Sequence, residues 1–128
     1  MSYYFSKTLT IPFEEAIDKV TERLQGEGFG VLTDIDVKAT LKKKIDVEFR
    51  KYRILGACNP TFAHQALQVE DKIGAMLPCN VVVQETTQGN VEVAAVDPVA
   101  SMQGVNEPRL DPIATQVRSQ LRRVVEGL

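Results

Sequence analysis

Asn80-Val81-Val82-Val83-Gln84-Glu85, then Thr86-Thr87-Gln88-Gly89-Asn90, then Val91-Glu92-Val93-Ala94-Ala95-Val96 is the stretch on which the fold turns. Two short runs rich in valine flank a polar, glycine-containing link. β-branched side chains suit a pleated strand, and a link of five residues joins neighbouring antiparallel strands. The stretch therefore predicts a β-hairpin over 80–96, the firmest tertiary contact in the chain.

Working outward towards the C-terminus, residues 97–110 hold Pro98, Gly104 and Pro108 with little periodicity. They read as a long ordered loop or a segment that covers a partner, with Val99, Met102 and Val105 as its apolar members. Asp111-Pro112 restarts a helix whose stripe is Ile113, Val117, Leu121, Val124, Val125 and Leu128. Upstream of the hairpin, Asn59-Pro60 is a helix start, since asparagine caps free amides and proline is pre-set for the first helical position. Ala63, Ala66 and Leu67 are expected to face inward, and a further turn with Ile73, Met76 and Leu77 to stop at Pro78. Val47 to Cys58 reads as a strand partly open to solvent, in which Gly56 admits a close neighbour.

Nearer the N-terminus, Asp36 is a plausible cap for a short helix with Val37, Leu41 and Ile45 on one side and Lys42, Lys43 and Lys44 on the other. Gly30 to about Ile35 reads as a half-buried strand. Phe13, Ala16, Ile17, Val20 and Leu24 form one apolar helical stripe that Gly26 and Gly28 end. Residues 2–10 suit an opening strand. Together these elements predict one α+β domain over 1–128: a mainly antiparallel sheet of about four strands, with the Phe13 and Ile113 helices packed on a shared surface.

Composition narrows the function classes. The chain has 128 residues, 44% of them hydrophobic and 25% charged, enough to bury a core without disulfides or a structural metal. Its net charge of −2 removes the broad basic field of a nucleic-acid binder, so no nucleic-acid partner is expected. No apolar run approaches the roughly 18 residues of a membrane span, and the first residues lack the pattern of an export signal. Neither membrane association nor secretion is expected. Two cysteines in such a chain read as reduced thiols of a cytoplasmic protein.

The motifs that could carry chemistry are few. Gly26-Glu27-Gly28-Phe29-Gly30 has the glycines of a phosphate loop in the wrong order, helix before strand, and reads as a helix stop. Lys38 and Lys42 to Lys44 read as a solvated helix face. Arg50, Lys51 and Arg53, with Tyr52, could meet a carboxylate or phosphate. His64 is the single histidine, with no serine placed beside it, so no catalytic triad is evident. Cys58 precedes the cap Asn59, where helix amides can favour a thiolate, and Cys79 opens a strand after Pro78, followed by Asn80. The candidate ligand-binding residues are therefore Cys58, Asn59, Cys79, Asn80, His64 and Arg53. A Cys-Cys-His metal site lacks a fourth ligand, and no metal or cofactor is assigned.

Gly56-Ala57-Cys58-Asn59-Pro60, with Ala63 and Ala66-Leu67 after it, and Leu77-Pro78-Cys79-Asn80-Val81, with Val83 and Glu85, resemble domain-of-unknown-function family 302. The resemblance runs from the Phe13 helix through Val96-Asp97-Pro98. It implies a small antiparallel sheet flanked by helices, similar to the TATA-binding-protein architecture, and a homodimer; it implies no reaction and no functional residue. The leading expectation is thus a homodimeric binding module for a small molecule, an anionic one being favoured by Arg50 to Arg53, rather than an enzyme. A thiol-dependent redox or metal-binding protein and a purely structural or interaction subunit are the alternatives.

Overall fold

The computed structural model describes residues 2–86 and 89–128. The hairpin forms as expected from strands β4 (Cys79–Glu85) and β5 (Val91–Val96), paired antiparallel with Val83 opposite Val93. Thr87 and Gln88 of the connecting link lie outside the described residues. Around this hairpin the sheet has five strands rather than about four, all antiparallel, in the order β1-β5-β4-β3-β2, with β1 at Tyr4–Leu9, β2 at Gly30–Asp36 and β3 at Tyr52–Cys58. Each of the five matches a strand named from the sequence, so the expected total of about four is an undercount of those strands. Along β2 only Gly30 and Val31 are even partly buried, and an irregularity between Val31 and Thr33 breaks the two-residue period. The strand expected from Val47 begins only at Tyr52.

Alternation along β4 and β5 divides the sheet into two faces. Val81, Val83, Val91, Val93 and Ala95 are buried on one of them, together with Leu55 and Ala57 of β3. Two helices cover this face: α1 (Phe13–Gly26), through Phe13, Ala16, Ile17, Val20 and Leu24, and α5 (Asp111–Glu126), through Val117, Leu121, Val124 and Val125. Both stripes are the ones the sequence spacing specifies. The intervening residues Val82, Gln84, Glu92, Ala94 and Val96 are only partly buried.

The short helix α2 (Val37–Ile45) starts at Asp36, whose carboxylate accepts the Ala39 amide at 2.9 Å. Its expected apolar stripe does not pack: no residue of α2 is buried. Helix α3 (Pro60–Val69) starts at Asn59 and buries Ala66, while Leu67 stays exposed, contrary to expectation. A 3-10 turn at Ile73–Met76 follows and buries Ile73, but not Met76. Residues 97–110 are not a structureless loop. They form α4 (Pro98–Ser101) and two 3-10 turns, and Leu110 joins Ala66 and Ile73 in a second core cluster with Leu77, Met102 and Val105 at its margin. Part of this segment thus covers its own chain. Asp97-Pro98 repeats the start signal of Asn59-Pro60, and the Asp97 carboxylate accepts the Val99 amide at 3.0 Å.

Candidate functional site

Antiparallel pairing sets the end of β3 beside the start of β4, so Ala57 lies opposite Cys79 and Cys58 is one residue further on. The two Cys-Asn segments, distant in sequence, meet at one end of the sheet. Gly56 permits the approach, because a side chain there would collide with Thr33 and come within 2.6 Å of the Pro78 ring. Asn59 then turns the chain into α3: its side-chain oxygen accepts the Phe62 amide at 3.3 Å, and Pro60 takes the first helical position. Gly28, at φ 89°, completes this corner, since a side chain there would come within 3.3 Å of the Asn59 amide nitrogen.

At this corner lies a cavity of about 30 Å³, walled by Cys58, Asn59, Cys79, Phe62, Met102 and Ala114 among others. By that measure it has room for only one or two waters, and its wall is apolar apart from the two thiols and Asn59. It lies on the seam between the two core clusters: Phe29, Ala57, Cys79 and Val117 of its wall belong to the main core, Ala66, Leu77 and Met102 to the second. Burial, and secondarily the neighbouring Cys58, pushes the Cys79 thiol up to about 11. Cys79 is therefore protonated at neutral pH and a poor nucleophile. Both cysteines are free thiols.

The other candidates stand elsewhere. Asn80, next to Cys79 on β4, belongs to the alternate face and lines a shallow groove of about 370 Å³ with Tyr4, Tyr52, Val82, Glu92 and Val96. Arg53 is engaged by acids: its Nε donates to Asp34 Oδ1 at 2.7 Å, its Nη2 pairs with Asp34 Oδ2, and Glu14 lies 3.8 Å from its Nη1. The hydrogen bond from Arg53 holds the Asp34 carboxyl below the usual carboxylate range. His64 is exposed on α3, its Nε2 3.2 Å from Gln68 Nε2. The structure thus brings together Cys58, Asn59 and Cys79 and leaves Asn80, His64 and Arg53 outside the cavity wall. Among the described residues, no group of three or more His, Cys, Asp or Glu side chains is placed to hold a metal ion.

Phe62, Met102 and Ala114 were not among the candidates, because they are apolar and belong to helical segments remote in sequence. The one available signal was Asp97-Pro98, which starts the segment that delivers Met102 to the cavity.

A protein-family model, "Domain of unknown function DUF302", matches residues 5–128. The chain belongs to the DUF302 family. A crystal structure described as an uncharacterized conserved protein DUF302 from Bacillus stearothermophilus superposes on this DUF302 chain with a TM-score of 0.91. The two are 27% identical, and the match covers 98% of each chain. A comparison with curated proteins finds no match. The α+β sheet and its helices are therefore the family's fold, and the chemistry has to be argued from the site itself. Among the described residues, no helix is long and apolar enough to cross a membrane.

Proposed function

We propose that this DUF302 chain is a homodimeric, non-enzymatic binding module of the cytoplasm that takes a small, largely apolar molecule at the Cys58–Cys79 corner. The observation that carries the reading is the position of the cavity on the seam between two core clusters. A ligand larger than the cavity enters by parting α3 and the 97–110 segment from the sheet, without breaking a strand pair. Asn59 and the two thiols are the polar groups available to orient it. An anionic ligand draws less support, because Arg53 already faces Asp34 and Glu14. Two free thiols fit a reducing compartment, and a net charge of −2 argues against a nucleic-acid partner.

Xenon provides a probe small enough for the cavity as it stands. In methyl NMR of the full chain under xenon pressure, the expected result is selective shifts of the Ala63, Ala66, Met102 and Ala114 methyls, abolished when Ala63→Leu narrows the space. Shifts absent from these methyls, or unaffected by the substitution, would overturn the reading. A thiol-dependent role is favoured by one observation, the adjacency of Cys58 and Cys79 across β3 and β4. It runs through Cys58 as the attacking group, since Cys79 is held protonated.

A further inference from the structure

We infer that the face of the sheet away from α1 and α5 is where two copies of this chain meet. Ile35, Ile54, Val82 and Ala94 stand directly opposite one another on β2, β3, β4 and β5, forming one apolar row across four strands. Ile35 is 49% exposed and Tyr4, at the far edge of the same face, 41%. Two helices cover the other face, whereas this row is left in partial contact with water, against the usual tendency to bury such a stripe. Five strands roughly 4.8 Å apart and about six residues long give a flat footprint of roughly 480 Å² per copy, hence about 1,000 Å² over the pair. That reaches the lower bound of a specific interface, about 1,000 Å².

The polar groups of the face select a second copy over other partners. Arg50 Nε donates to Gln84 Oε1 at 2.9 Å, and Gln84 Nε2 donates to Glu92 Oε1 at 3.1 Å, a chain that runs across β4 to β5. Charges of both signs thus lie on the face, linked through Gln84. A face of mixed sign meets its own copy about a twofold axis without net repulsion, whereas Glu92 repels a phosphate backbone. Two such sheets pack face to face about 10 Å apart, with side chains interdigitating. The groove lined by Tyr4, Tyr52, Val82 and Val96 then lies inside the interface.

The inference rests on the homodimeric part of the proposed function, and the test separates the two. Light scattering of the full chain at micromolar concentration is compared for wild type, Val82→Lys and the double substitution Tyr4→Lys with Ile35→Lys, each checked for folding by circular dichroism. Wild type is expected at twice the chain mass, and both folded variants at the single-chain mass under the same conditions, their dimers weakened at least tenfold. Should Val82→Lys fail to fold, the double variant decides, because both of its positions are exposed. A dimeric wild type with folded variants that remain dimeric overturns this face while leaving homodimerisation intact. A wild type that is monomeric at every accessible concentration overturns both, whether or not another macromolecule binds the face; the xenon experiment then judges the cavity separately.

Discussion

Cys79 follows Pro78 and faces the core, with its thiol largely out of reach of water. A thiol in that position is stabilised in its neutral form, which makes the stability of the whole chain depend on pH. The folded state holds the proton up to about pH 11, whereas the unfolded thiol releases it near its ordinary value of about 9. Between these two values the unfolded state binds fewer protons, so folding stability falls as pH rises. Below about pH 9 the contribution is fully present; by pH 11 about 2 kcal/mol of it is lost. Urea denaturation at pH 8 and pH 11 should therefore show a steeper loss for wild type than for Cys79→Ala, whose difference from wild type isolates the contribution of this thiol. An identical pH dependence in the two would mean that Cys79 is solvated. At this scale the sequence was partly readable. The close approach at Gly56 and the cap at Asn59 follow from residue type alone, whereas the capture of Arg53 by Asp34 depends on strand register, which includes an irregularity that no local pattern announces.

The elements differ in how openly they declare themselves. Helices α1 and α5 are legible because every buried residue of the α1 stripe, and most of that of α5, recurs at helical spacing on a surface helix. The 97–110 segment is not, because its short turns bury only single residues such as Pro98 and Leu110 and leave no period to find. What holds it is Asp97, 6% exposed, which caps α4 through the Val99 amide and reaches α5 with Oδ2 at 3.2 Å from Arg118 Nε. That last contact is an ion pair rather than an aligned hydrogen bond, since Arg118 Nε makes none. Asp97→Ala removes the cap and strands the Arg118 charge, and the expected loss in chemical denaturation is about 2 to 3 kcal/mol. Asp97→Asn retains the capping acceptor and should lose less than half as much. Equal losses for the two would assign the effect to the ion pair, and a loss under about 0.5 kcal/mol for both would show that the segment is held by packing alone.

Across the whole molecule, stability is expected to fall steadily from the centre of the sheet towards β2. The hairpin of β4 and β5 carries Val81, Val83 and Val93, all fully removed from water, and α5 closes over the same face with the fully buried Leu121. This is also the part that sequence reading recovers best, because buried strands and the helix that covers them leave a strong period. At the other end, β2 is an edge with exposed side chains, and α2 beside it buries nothing. Helix α2 is held by its Asp36 cap, by Lys38 Nζ donating to the Phe49 carbonyl at 2.9 Å, and by Lys42 paired with Asp46 and Glu48 at 2.7 and 2.9 Å. Exposed ion pairs of this kind add little to stability, because water screens them and holding two long side chains in one geometry costs entropy. A helix of nine residues is marginal alone in water. The α2 amides from Leu41 to Ile45 should therefore exchange with solvent through local opening, at least several kcal/mol below the free energy that protects Val81 and Val93. Native-state hydrogen exchange by NMR, run with increasing denaturant, checks this directly: α2 exchange should be insensitive to low denaturant, as small openings are, while β4 and β5 exchange only through global unfolding. Protection of α2 equal to that of the hairpin would mean that something outside the single chain covers it. Run above and below the concentration at which dimers dissociate, the same measurement tells whether that cover is the second copy.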